Sequence, residues 1–335
     1  MKAVVLQKPG QASIETVSEP VTTDRDILLK VRMVGLCGSD LHSFRGLNPL
    51  VSFPRIPGHE VSATVVRGAG GGSGLSVGMD VAICPYTSRG EWVSWGSANA
   101  CHFNETLGVQ RDGALTEFIA MPRAKLYPAT LSPKELCLVE PLTAGFHAVS
   151  HGRVTSEDTV AIMGCVGVGL GAVAASSSWG ASTVCIDVDD EKLELARAAG
   201  ETHTINSLRE SLHDRLLEIT EGRGPDVMIE AIGTPATFRA AVEEISFIGR
   251  VIYIGDTKEP VSYETRLFVQ KELDVCGSRN AQPEDFQAVI RHLEARSFPV
   301  DQAVSLVVPL QKVAHALRSW TENPSRFKKI MVCLD

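Results

Sequence analysis

Two short segments concentrate side chains that can do chemistry: Gly35-Leu36-Cys37-Gly38-Ser39-Asp40-Leu41-His42 and Gly58-His59-Glu60. A thiol, an imidazole and a carboxylate are ligand types that zinc accepts, and glycine-rich turns around Cys37 and His59 would let their backbones converge. Two readings stay open on composition alone: a metal site, or a small buried Cys37 beside a hydrogen-bonded His59. A third segment, Val160-Ala161-Ile162-Met163-Gly164-Cys165-Val166-Gly167-Val168-Gly169-Leu170-Gly171, reads as a strand running into a glycine-rich turn and then a helix. Such a turn lets a pyrophosphate approach backbone N–H groups at a helix N-terminus. The pattern departs from G-x-G-x-x-G. Gly164 and Gly169 hold the outer positions, Val166 stands at the middle one, and Gly167 comes one place late. A β-branched residue at the point of closest phosphate approach is expected to push the loop or the ligand outwards.

Asp187 ends the next strand, 23 residues after Gly164, close to the spacing of about 20 at which a carboxylate binds the ribose hydroxyls of NAD. Val188-Asp189-Asp190 supplies no Arg for a 2′-phosphate, so NAD is expected over NADP. Helix capping suits Asp189 better than Asp187.

These groups need two kinds of scaffold. The first third of the chain reads as strands and Gly/Pro-punctuated loops; in Ile27 to Val34 the apolar Leu29, Val31 and Met33 alternate with Lys30 and Arg32, the pattern of a half-buried strand. Gly68 to Gly74 reads as a hairpin connection. From about Thr143 apolar strands alternate with helical segments, which implies βαβ units and a parallel sheet covered on both faces. Leu193, Ala196 and Ala199 lie on one helix face, closed by Gly200 as C-cap. Two later stripes are Phe286, Val289, Ile290 and Leu293, then Leu310, Val313, Ala314 and Leu317, before a closing strand Lys329 to Leu334.

A length of 335 residues predicts about two domains. With 32 Lys+Arg against 40 Asp+Glu the chain is acidic and has no basic block, which argues against nucleic acid as a partner. Eight cysteines without a C-x-x-C pair suggest neither a disulfide framework nor a zinc ribbon, so a reducing, cytoplasmic setting is expected. The uncharged stretch between Asp158 and Asp187 is long enough to span a membrane, but five glycines and the SSSWG run interrupt it, and no membrane segment is expected.

The ordered set G-x-C-G-S-D-x-H, G-H-E, Glu140-Pro141 and the glycine-rich βαβ unit resembles the zinc-dependent medium-chain dehydrogenase/reductase family, in its sorbitol/threonine dehydrogenase branch. The resemblance covers nearly the whole chain. It implies an α/β protein with a GroES-like, mostly-β catalytic domain from 1–142 and 278–335, and a doubly wound Rossmann domain from 143–277 inserted between them. It makes Cys37 and His59 ligands of one catalytic zinc per chain. Glu60 would ligate the metal or sit just outside it, Glu140 would bind zinc or its water, and Asp40 would orient His59. Ser39 would take the substrate proton and His42 would pass it on through the nicotinamide ribose. The cofactor would lie on Gly164, Val166, Gly167, Val168, Gly169, Asp187, Gly233 and Gly255.

The family often carries a structural zinc on a C-G-x-C-x-x-C…C lobe. Here Arg89, Trp92 and Trp95 stand where the first three thiols would be, with Cys101 beyond. One thiol cannot hold a tetrahedral zinc, so no structural zinc is expected and apolar packing, within the lobe or against a partner, would replace it. Gly277-Ser278-Arg279-Asn280 falls where sorbitol-type enzymes place a substrate-facing Arg, and GSRNAQPEDF is similar to bacterial sugar-acid dehydrogenases of the L-galactonate type. A guanidinium can bind an aldonate carboxylate bidentately; a structural ion pair or a cofactor contact is the other reading of Arg279, with Asn280 beside it. The implied activity is NAD-linked oxidation of a secondary hydroxyl of a polyol or sugar acid, in a cytoplasmic homodimer or homotetramer. A threonine-type amino-alcohol dehydrogenase and a catalytically silent nucleotide-binding protein are the alternatives.

Overall fold

The strand Asp26–Leu36 is the axis of the first half of the structure, a computed structural model that describes residues 1–68, 74–88, 98–200 and 203–334. Leu29, Val31 and Met33 are buried and Lys30 is exposed, as the alternation predicts. One edge of this strand pairs antiparallel with Glu60–Arg67. The other edge is shared: Phe118–Pro122 pairs with the N-terminal half and Ile330–Cys333 with the C-terminal half. Asp80–Ile83, Leu126–Pro128 and Leu306–Pro309 complete a seven-stranded sheet. Its core includes Leu6, Ile27, Leu29, Val61, Ile83, Leu115 and Ile330.

Register decides what this sheet presents at one end. Gly35 pairs with Glu60 and Leu36 with Ile330. Three chain segments distant in sequence, at 35–37, 59–60 and 329–330, therefore meet.

The second half contains a six-stranded, wholly parallel sheet. Its strands run, across the sheet, His203–Asn206, Ser182–Asp187, Thr159–Met163, Val227–Glu230, Arg250–Tyr253 and Asp274–Gly277. That order of third, second, first, fourth, fifth and sixth is the doubly wound dinucleotide-binding order, with its switch point between Thr159–Met163 and Val227–Glu230. Ala161, Val184, Ile205, Met228 and Val251 are fully buried in it, which is why these strands read as continuous apolar runs.

The chain divides into two compact units, one of Met1–Glu140, Leu293–Ala295 and Val300–Asp335 and the other of Pro141–His292 and Arg296–Pro299. The later boundary differs from the 277/278 line drawn on sequence because the helix Pro283–Glu294 packs within the second unit: Asp285 bonds His147 at 2.9 Å, and the ring of His292 meets that of Phe146. Phe286, Val289, Ile290 and Leu293 form its buried face. The last stripe shifts slightly. Leu310–Lys312 is a tighter 3₁₀ turn, so the buried residues after it are Val313, Ala316, Leu317 and Trp320, and Ala314 is only half-buried.

Gly200 caps the helix Asp190–Ala199, and Asp189 is its N-cap, accepting from the Glu191 N–H at 2.9 Å. No helix of the described residues is long and apolar enough to cross a membrane. Ala69 to Ser73 of the glycine-rich connection and the Arg89 to Trp95 stretch lie outside the described residues.

Candidate functional site

Cys37 follows the long strand directly and is the N-cap of the short helix Gly38–Phe44, which carries Ser39, Asp40 and His42. His59 precedes the first residue of the neighbouring strand, Glu60. One donor atom from each of Cys37, His59 and Glu60 lies within 4.8 Å of the other two, and among the described residues no other group of three or more such ligands converges in this way. His59 and Glu60 are buried and Cys37 is half-buried.

Asp40 ties the two ligand-bearing turns together. One of its oxygens accepts from the Cys37 N–H at 2.9 Å and the other from the Gly58 N–H at 3.0 Å. The latter oxygen also stands 3.9 Å from His59 Nδ1, so Asp40 fixes the backbone on both sides as well as facing the imidazole. Gly35 is required for another reason: a Cβ there would lie 2.1 Å from Glu60 Oε2, so the carboxylate occupies the space that a side chain would take.

The chemistry of this donor set fits a zinc ion. Thiol, imidazole and carboxylate converge, and His59 Nδ1 is buried without a hydrogen-bond partner. The field also favours a cation. Burial works against an imidazolium at His59, yet Asp40, Cys37 and Glu140 outweigh it and raise its pKa well above 6.5. A proton and a metal thus compete for the same negative pocket.

Glu140 sits in the helix Pro133–His151 and is not one of the three converging ligands. Its Oε1 accepts a hydrogen bond from the buried Tyr86 hydroxyl. Burial, and then the nearby Glu60 against the opposing His59, raise the carboxyl pKa; burial and Glu140 likewise raise that of the phenol. Sequence reasoning missed Tyr86, which opens the short strand Tyr86–Ser88 with no local signal to mark it. It also missed Lys329, whose ammonium donates to both oxygens of Glu60 at 2.6 and 2.7 Å. Burial disfavours that charge, but Glu60 more than offsets it and raises the lysine pKa. Nothing in Lys328-Lys329-Ile330 distinguishes the functional lysine from its neighbour. Ser39 is half-buried, with its carbonyl accepting from Ser43 Oγ at 2.7 Å, and His42 is half-buried on the same helix.

In the second unit the glycine turn leads from Thr159–Met163 to the helix Val168–Ser178, with Gly167 as N-cap at φ 54°. A Cβ on Gly169 would meet Gly164 O at 1.9 Å, so these outer glycines are what let the turn close on itself. Val166, Gly167 and Val168 are half-buried at its tip. Asp187 closes the adjacent strand and anchors the turn: Oδ2 accepts from Cys165 N–H at 3.0 Å, and Oδ1 from Val188 N–H at 2.8 Å and Asp189 N–H at 3.2 Å. Gly233 and Gly255 lie on abutting loops, since a Cβ on Gly255 would stand 2.5 Å from Gly233 N. Glu230, fully buried at the end of its strand, holds these loops through the Ile232 and Gly233 N–H groups at 2.9 and 2.8 Å. It too was missed, although a carboxylate closing an apolar parallel strand is a visible anomaly. Arg279 is exposed and Asn280 half-buried in the segment after Asp274–Gly277, with Asn280 at φ 55°. Cys101 is buried.

Comparison with known proteins is consistent along the chain. The alcohol dehydrogenase GroES-like domain family matches residues 23–131 and the zinc-binding dehydrogenase family residues 167–295. An uncharacterized zinc-type alcohol dehydrogenase-like protein of Haemophilus influenzae is 32% identical, over 98% of both chains. L-galactonate-5-dehydrogenase of Escherichia coli is 28% identical, over 94% of this chain and 93% of its own. Among solved structures, the rspB alcohol dehydrogenase of E. coli CFT073, complexed with NADH, superposes with a TM-score of 0.91 at 27% identity, covering 100% of this chain and 99% of that one. A zinc-binding dehydrogenase of Sinorhizobium meliloti bound to NADP does so with a TM-score of 0.91 at 26% identity, covering 99% of each.

Proposed function

The chain belongs to the zinc-dependent medium-chain dehydrogenase/reductase family, and from that premise we propose that it oxidises a secondary hydroxyl of a sugar acid or polyol to a ketone, with NAD as hydride acceptor. The observation that carries this reading is the convergence of Cys37, His59 and Glu60 within 4.8 Å. Those three residues would hold one zinc per chain, and a bound zinc supplies Lewis-acid chemistry that lowers the pKa of an oxygen ligand.

The protein's own residues then have separable tasks. Asp40 fixes both ligand-bearing turns, and Lys329 neutralises Glu60 while it is buried. Ser39 accepts the hydroxyl proton and His42 relays it outwards. The turn at Gly164, Val166, Gly167, Val168 and Gly169 receives the pyrophosphate and Asp187 the ribose hydroxyls, with Gly233 and Gly255 lining the rest of the cofactor site. The absence of an Arg from Val188-Asp189-Asp190 supports NAD over NADP. Arg279, with Asn280, would bind a substrate carboxylate, which favours an aldonate over a neutral polyol. None of the eight cysteines, all within the described residues, forms a disulfide, which supports a cytoplasmic setting. The single thiol left at Cys101 supports one metal and no structural zinc, and the family's habit supports a homo-oligomer.

Metal analysis with a substrate panel tests this. About one zinc per chain, lost together with activity in Cys37→Ser, is expected, with hexonates preferred to hexitols. A metal-free active enzyme refutes the mechanism, and higher kcat/KM on amino alcohols replaces the substrate class.

A further inference from the structure

We propose that Tyr86 is a positioning residue that holds the Glu140 carboxylate out of the ligand set of Cys37, His59 and Glu60. The inference rests on the metal reading above and concerns how many protein ligands that site admits.

Both ends of the contact are held by their surroundings. Tyr86 opens the strand Tyr86–Ser88 and pairs with Thr106 of Asn104–Thr106. The residues just before it are pinned by Cys84 N–H to Lys125 O at 2.8 Å and by Leu107 N–H to Pro85 O at 3.2 Å. Glu140 lies inside the helix Pro133–His151. With both backbones set, the Tyr86 hydroxyl selects the direction of the Glu140 side chain, and both side chains are buried.

The charges of His59 and Glu60 both act on Glu140, so the ligand set lies within electrostatic reach of this carboxylate. A catalytic zinc keeps three protein ligands and an open position. A fourth protein ligand would occupy the place that substrate needs. By taking Glu140 Oε1, Tyr86 leaves three converging donors and keeps that position available.

The test is the visible spectrum of the Co²⁺-substituted full-length protein, with Tyr86→Phe, Glu140→Gln and the double variant compared at equal metal loading. The expected result is that Glu140→Gln leaves the cobalt d–d bands unchanged, because Glu140 is not a ligand while Tyr86 holds it. Tyr86→Phe is expected to shift the bands, as entry of a carboxylate into the open position requires, and Tyr86→Phe/Glu140→Gln to restore the original spectrum. Identical spectra for the wild type and Tyr86→Phe overturn the inference, and so does a change that persists in the double variant. A spectrum altered by Glu140→Gln alone overturns it without requiring Tyr86→Phe to fold. Failure of the metal reading is distinguishable: the wild-type protein then shows no cobalt–thiolate band at all, and both proposals fall.

Discussion

The Lys329 ammonium donates to both carboxylate oxygens of Glu60, at 2.6 and 2.7 Å, and both side chains are buried. Glu60 is thus compensated before any metal arrives. Removing only the lysine leaves a buried carboxylate without its counter-charge. Lys329→Met is expected to cost about 3–5 kcal/mol in the metal-stripped protein. Adding Glu60→Gln should recover most of that loss, as read from urea unfolding; a double variant no more stable than Lys329→Met would show that the pair is not the source.

Gly35 faces the same carboxylate across the strand pair. Gly35→Ala places a methyl where Glu60 Oε2 now lies, and Lys329 holds that oxygen in place. Overpacking of this kind costs about 1–3 kcal/mol. Thermal melts should show a loss when Gly35→Ala is made in the wild type and a smaller one when it is made in a Glu60→Ala background, whereas equal losses in the two backgrounds would exclude the steric cause.

Asp187 carries two loads, which two substitutions separate. A charged hydrogen bond is worth about 1.5–3 kcal/mol, so Asp187→Ala should reduce the NAD/NADP ratio of kcat/KM by about tenfold or more. It should also lower stability, since Cys165, Val188 and Asp189 lose their acceptor. Asp187→Asn keeps an acceptor and should melt closer to the wild type. An unchanged cofactor ratio in Asp187→Ala would remove the residue from recognition and leave it a loop anchor.

Thiol accessibility is uneven. Cys37, Cys276 and Cys333 are half-buried, whereas Cys84, Cys101, Cys137, Cys165 and Cys185 are buried. Burial pushes the Cys84 and Cys137 thiols up, Cys137 strongly, and only the thiolate reacts. Alkylation of the native protein followed by peptide mapping should label the first three and spare the others, with added zinc protecting Cys37. Rapid labelling of Cys137 would contradict the native packing.

His292 sets an acid-side limit on the second unit. Burial lowers its pKa below 6.5, and its Nε2 is buried without a partner. The unfolded chain therefore binds a proton that the native state refuses. Stability is full above 6.5, falls as the pH drops below it, and levels off beneath the folded value. Chemical denaturation at pH about 7.5 and about 5 should show a smaller acid loss in His292→Phe than in the wild type. Equal losses would place the sensitivity elsewhere.

The βαβ alternation after Thr143, the alternation of Leu29, Val31 and Met33 and the Gly200 and Asp189 caps are all written in local patterns, whereas the meeting of Cys37 with His59 and Glu60 was implied by the family resemblance and is made by strand register. Side-chain periodicity and turn chemistry act over a few residues, so they can be read from the chain directly. The helix Pro283–Glu294 was equally visible as a helix, yet the unit it packs in was not, because its partners Phe146 and His147 lie far upstream.

The residues that complete the site were hidden for the same reason. Lys329 meets Glu60 only because Leu36 pairs with Ile330 while Gly35 pairs with Glu60, and a slip of one residue in either register would turn the side chain to the other face. Tyr86 meets Glu140 across 54 residues of chain. The sequence by itself determined which groups could serve as ligands and which loop could take a dinucleotide, since residue type and local spacing fix those. Only the tertiary structure decided which buried charge each group faces, because electrostatic and steric neighbours depend on strand register and helix packing across the whole chain.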